Sequence, residues 1–172
     1  SSPIAGSRLH SAPRFAALVD PDDPLFLNPP DMPEAVAAYC RRTGQTPPAT
    51  KAATVRTVLE SLALKYRYVL DQLRDVLGQP IDRVHVIGGG SRNALLCRLT
   101  AEASGLPVVA GPAEATAVGN ILVQAMALGL VGSPADIRRI VRESFAPVLY
   151  EPSDPAAAWD AAYRRFRDIL GA

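Results

Sequence analysis

Cysteine, histidine, long apolar runs and surplus charge are all scarce in this chain. Of 172 residues, two are cysteine and two are histidine. Cys40 and Cys97 stand far apart, with no C-x-x-C spacing and no nearby histidine pair. That pattern argues against a zinc site or a disulfide framework and leaves two small buried thiols as the expectation. His10 falls in a loose terminus and His85 inside an apolar strand pattern, so neither reads as a catalytic residue. No uninterrupted apolar stretch reaches membrane-spanning length, and the first residues, Ser1 to Ser11, lack the apolar middle of a signal peptide. A cytoplasmic protein without a membrane partner is the expectation. The net charge is +1 and no Lys/Arg cluster is interleaved with aromatics, which makes nucleic acid an unexpected partner. No repeat of fixed period emerges.

What is present is the composition of a globular α/β domain, 48% hydrophobic and 20% charged. Residues 1–31 are rich in proline (Asp20-Pro21-Asp22-Asp23-Pro24, Asn28-Pro29-Pro30), which blocks helix and favours extended backbone or turns. Within them Phe15 to Val19 and Leu25 to Leu27 are apolar enough to lie on a core as short extended pieces. Residues 32–172 form the expected domain proper. Asp31, Pro33 and Glu34 mark a helix entry, and that helix closes near Gly44. A long helix runs from about Thr50 to Gly78, with apolar residues at three-four spacing: Val55, Val58, Leu59, Leu62, Tyr66, Val69, Leu70, Leu73 and Leu77. Tyr66 and Tyr68 read as packing residues. Strand, helix, strand and helix then alternate at Val84 to Ile87, Asn93 to Ser104, Pro107 to Ala110 and Glu114 to Leu128. The order implies a parallel pair with a right-handed crossover. A shorter helix follows Ser133, and a last one opens at Asp154-Pro155 with Trp159, Tyr163 and Phe166 on one docking stripe.

The most informative stretch is Val84-His85-Val86-Ile87-Gly88-Gly89-Gly90-Ser91-Arg92-Asn93, where an apolar run stops at three glycines and a helix begins. Three residues without Cβ atoms let the chain turn through positive φ and let a ligand approach the backbone, and the start of a helix offers unpaired N–H groups. A nucleotide is the natural ligand; a plain strand-to-helix turn is the alternative. A P-loop requires G-x-x-x-x-G-K-[ST], and no lysine follows Gly88 to Gly90. A Rossmann fingerprint requires a sixth-position glycine where Asn93 stands, and an acidic residue after the next strand, where Val109-Ala110-Gly111 stands.

The order strand, Gly-Gly-Gly-Ser-x-Asn, helix, short strand, then Gly111-Pro112-Ala113-Glu114-Ala115-Thr116-Ala117-Val118-Gly119-Asn120 resembles the adenosine motif of the FGGY family of sugar kinases. These belong to the actin-like, Hsp70-like and hexokinase-like group. The segments Leu25 to Met32 and Ser61 to Tyr66 extend the resemblance over nearly the whole chain from Arg14. It implies an incomplete actin-like, ribonuclease H-like ATPase domain with a short, mainly parallel sheet and many helices. It also implies that Gly88, Gly89 and Gly90 face the nucleotide, that Ser91 or the free amides of the next helix face phosphate or ribose, and that Asn93 meets adenine or braces the turn. For Asn93 a helix-capping role is the alternative. Glu114 reads as family-important or as a cap, and Gly119 as a place of close packing by a neighbour or by the nucleotide.

Kinases of this family are about three times as long, and they carry the sugar site and the catalytic aspartate in an N-terminal domain. The chain therefore reads as the C-terminal part of an ATP- and Mg²⁺-dependent ketose kinase. Its partners are ATP or ADP, the remaining kinase domain and, only in the complete enzyme, the sugar. No catalytic base is assigned here, and the chain alone should not turn over sugar. Two strands are few for so many helices, so exposed apolar surface and self-association are expected. A non-catalytic module derived from a kinase fold and a dinucleotide-dependent oxidoreductase are the alternatives.

Overall fold

The computed structural model describes residues 12–153 and 156–171. Expectations for Ser1 to Ser11 and for the helix opening at Asp154-Pro155 lie outside the described residues. Among the described residues, six α-helices and three strands follow in the order α1 (Met32–Arg42), α2 (Lys51–Leu77), β1 (Val84–Val86), α3 (Ala94–Ser104), β2 (Val108–Ala110), α4 (Ala115–Ala127), α5 (Pro134–Ser144), β3 (Val148–Tyr150) and α6 (Ala156–Leu170). The caps lie where the sequence places them. Asp31 accepts from the Glu34 amide, Thr50 from Ala53 and Ser133 from Asp136. Gly78 and Gly105 close α2 and α3 in the left-handed region, which a residue with a Cβ rarely adopts.

The sheet has the order β1-β2-β3. β1 and β2 are parallel, with Val84 opposite Val108 and Val86 opposite Ala110, and α3 is the crossover between them. β3, which the sequence pattern did not reveal, lies antiparallel on the far side of β2. On the better packed sheet face Val84, Val86, Val108, Ala110 and Tyr150 meet Cys97 and Ala101 of α3. On the other face His85 and Leu149 are exposed.

The larger core joins Phe15 and Leu18 to Ala63 and Leu64 of α2, Leu99 and Ala103 of α3, and the Trp159, Tyr163 and Phe166 stripe of α6. Burying side chains of this size contributes about 1.5–3 kcal/mol each. Phe15 to Val19 is held without a strand partner. The Phe15 amide donates to Glu60 (2.7 Å) and the Val19 amide to Ser61 (2.9 Å). Gln45 accepts from the Leu18 amide (2.9 Å) and donates to the Leu18 carbonyl (2.8 Å). Buried backbone groups must find partners, and here helix side chains supply them.

This requirement corrects the expectation for α2. Its buried positions are Thr57, Glu60, Ser61, Ala63 and Leu64, whereas Val55, Tyr66, Val69, Leu73 and Leu77 of the expected stripe are exposed. Leu25 and Phe26 fall in a 3-10 turn, Pro24–Phe26, and Leu27 is exposed. The amount of open apolar surface is large. α4 buries no residue, and Ile121, Val123, Leu128 and Leu130 in and just after it are exposed. Gly119 has nothing within 4 Å of a Cβ position, so the close packing expected there does not occur within this chain.

Candidate functional site

The carboxyl ends of the two parallel strands carry the two glycine loops. In open α/β sheets this is the edge where ligands settle, because the chain leaves each strand there and exposes backbone groups. After β1, Gly88–Arg92 forms a single 3-10 turn, and α3 starts only at Ala94. Gly88 has φ +75°, so the sharp exit from the strand needs a residue without a Cβ. Gly89 and Gly90 are exposed, and nothing lies within 4 Å of a Cβ built on Gly89.

The loops are tied together at their base. The Gly88 amide donates to the Pro112 carbonyl (3.0 Å) and the Gly111 amide to the Val86 carbonyl (2.8 Å). A Cβ on Gly111 would sit 3.2 Å from Ile87 Cγ2, a second close approach. At the outer rim Arg92 Nη2 meets Glu114 Oε1 at 2.6 Å. Glu114 thereby leaves the first turn of α4 without a side-chain cap, although it occupies the cap position. Arg92 is the member of this constellation that the sequence reading did not single out. A charged residue in each glycine loop was the available signal.

The remaining residues named from the sequence are placed as follows. Ser91 Oγ donates to the Gly88 carbonyl at 2.7 Å, so its hydroxyl proton braces the turn from within. Asn93 Oδ1 accepts from the Leu96 amide at 3.0 Å, the capping arrangement, which leaves its NH₂ group for other partners. Gly88, Gly89, Gly90, Ser91 and Asn93 thus form one continuous turn, with Gly89 and Gly90 as its open surface.

A recess of about 390 Å³ runs from this edge along the less packed sheet face. It is lined by His85, Ile87, Val109, Gly111 and Pro112 from the strands and loops, and by Ile137, Arg138 and Val141 of α5 among others. Its walls are apolar with cationic groups and no carboxylate, a combination suited to a flat, weakly polar ligand with an anionic tail. Among the described residues, no three His, Cys, Asp or Glu gather as a metal site would require. Burial pushes both thiols up, and Cys40 and Cys97 are indeed enclosed.

Strand, glycine turn, crossover helix and strand, with α3 packed on one sheet face, define a mixed α/β domain around a short three-stranded sheet. Residues 5–128 match the model of the FGGY family of carbohydrate kinases, C-terminal domain, and the chain belongs to that family. It is 50% identical over 156 residues to a rhamnulokinase of Bacteroides thetaiotaomicron, covering 91% of this chain and 32% of that protein. A rhamnulokinase of Pectobacterium carotovorum is 43% identical over 160 residues, with 91% of this chain and 32% of that protein covered. Among solved structures, the xylulose kinase of Rhodospirillum rubrum superposes with a TM-score of 0.55 at 24% identity, covering 72% of this chain and 25% of that one. That likeness supports the fold. The chain spans about a third of the length of the curated relatives it matches.

Proposed function

We propose that this chain is the nucleoside-binding part of an ATP-dependent ketose kinase whose sugar is L-rhamnulose. The observation that carries the reading is the pair of glycine loops at the carboxyl ends of β1 and β2, bound to each other at the base and open at Gly89 and Gly90. Such a surface admits a ligand to van der Waals distance of the backbone, which a base and ribose require. Gly88, Gly89 and Gly90 form the contact surface, Ser91 holds its shape, and the Asn93 amide group faces the ligand while its oxygen caps α3. The adjoining recess takes the base.

Transfer of the γ-phosphoryl group needs an oriented sugar hydroxyl, a base for its proton and stabilisation of charge on the phosphoryl oxygens. None of these roles is assigned to a residue of this chain. Mg²⁺ enters as the counter-ion of ATP. The remaining two thirds of a rhamnulokinase-length protein supply the sugar site and base in this reading, and cover the apolar side of α4. The identity of the sugar rests on the 43% and 50% identical relatives.

The test is a chimera in which this chain replaces the matched 156 residues of the Bacteroides thetaiotaomicron rhamnulokinase. Assayed against a panel of ketoses with ATP, it should phosphorylate L-rhamnulose, with the sugar site and base coming from the Bacteroides part and the nucleotide site from this chain. A folded chimera that binds ADP but phosphorylates none of them would refute the kinase reading. Tight NAD binding without ADP binding would favour the oxidoreductase alternative.

A further inference from the structure

The proposed site carries one polar feature that the fold does not need. The two glycine loops are already joined by backbone hydrogen bonds from Gly88 to Pro112 and from Gly111 to Val86. The Arg92–Glu114 pair adds a third connection at the rim, where both side chains are 69% exposed. An ion pair so exposed contributes about 0–1 kcal/mol, so it is not what fixes the loops. Glu114 stands at the cap position of α4 but makes no side-chain hydrogen bond to that helix, and turns to Arg92 instead. The pair therefore links the exposed edges of the two glycine loops while being cheap to separate.

We infer that Arg92 and Glu114 form an exchangeable bar across the mouth of the site, in which the phosphates of an entering nucleotide take Arg92 over from Glu114. The inference rests on the nucleotide reading above. A guanidinium forms paired charge-assisted hydrogen bonds with phosphate oxygens as readily as with a carboxylate, and a phosphate chain carries more charge than one glutamate. Glu114 in turn is an anion standing beside the phosphates, so it opposes the same ligand it makes room for. Arg92 contacts ligand in this scheme; Glu114 is a positioning residue acting through it.

The test compares adenosine, AMP and ADP by titration calorimetry against the wild-type chain, Glu114→Gln and Arg92→Gln, with the same substitutions in the chimera as a second setting. Removing the competing carboxylate should tighten ADP binding about two- to five-fold, the equivalent of an exposed pair, and leave adenosine unchanged. Arg92→Gln should weaken ADP about ten-fold or more, as loss of a charge-assisted contact does, and again spare adenosine. Added salt should shrink both effects. Weaker ADP binding in Glu114→Gln, no change in it, or an equal loss of adenosine and ADP in Arg92→Gln overturns the bar while the nucleotide reading stands. Failure of the wild type to bind any of the three in either setting overturns both.

Discussion

Gly88 and Gly89 are neighbours in sequence, yet the structure separates their roles, and a pair of substitutions turns the separation into a measurement. Gly88 sits at φ +75°. An L side chain there costs roughly 1–2 kcal/mol, because its Cβ crowds the following carbonyl. Gly89 is outside the left-handed region, and a Cβ on it meets nothing within 4 Å. Alanine at Gly89 should therefore be neutral or stabilise by about 0.4–1 kcal/mol through the unfolded chain. For a domain of this size 1 kcal/mol moves the melting temperature by about 2–4 °C. Gly88→Ala should then lower Tm by about 2–8 °C, while Gly89→Ala should leave it unchanged or raise it by up to about 4 °C and Gly89→Arg should stay within about 2 °C of the parent. Binding should show the opposite order. The arginine of Gly89→Arg fills the space kept open for ligand and should reduce ADP affinity by about ten-fold or more, the effect of a steric block worth at least 1.4 kcal/mol. Scanning calorimetry and ADP titration on the same samples give both numbers. Unaltered ADP affinity in Gly89→Arg, or a loss of stability in Gly89→Ala as large as that in Gly88→Ala, would refute the reasoning.

Other outcomes follow from the core and its caps. Glu60 is 1% exposed and holds both the Phe15 amide and Arg56, so Glu60→Ala should cost about 3–5 kcal/mol in chemical denaturation, the loss typical of a broken buried pair. Asn93→Ala removes the cap of α3 and should cost about 1 kcal/mol, with ADP affinity reporting separately on its amide group. Burial first, then the hydrogen bond to Asp71, hold the Tyr163 phenol well above the ordinary tyrosine range. A raised native value means stability present below the unfolded value of about 10 and lost as pH rises beyond it. Tyr163→Phe should flatten that alkaline loss, as followed by denaturation between pH 9 and pH 11, a range set by the same unfolded value of about 10. Cys40 and Cys97, both buried with raised thiol values, should resist Ellman's reagent until the chain is unfolded.

Local chemistry made most element boundaries legible. Asp31 and Ser133 as caps and Gly78 as a stop are short-range signals, and each lies where it was read. What needed three dimensions was the facing of α2. Of its apolar stripe, Val58 and Leu59 pack on the core while Val55, Tyr66, Val69, Leu73 and Leu77 are exposed, and Glu60 and Ser61 turn inward because an extended segment about 40 residues earlier in the chain needs hydrogen-bond partners. β3 was hidden for a similar reason, since three residues that are half exposed carry little periodicity and depend on β2 for pairing. At the candidate site, the glycine turn was visible from the triplet. The hydroxyl of Ser91 directed inward and the meeting of Arg92 with Glu114 depend on how two loops 22 residues apart approach each other.

Hydrogen exchange of the chimera with and without ADP tests the placement of the nucleotide most directly. Protection is expected in peptides covering Ile87 to Asn93 and Gly111 to Thr116, with no change over Lys51 to Leu77. ADP binding accompanied by protection elsewhere and none at these two loops would contradict it.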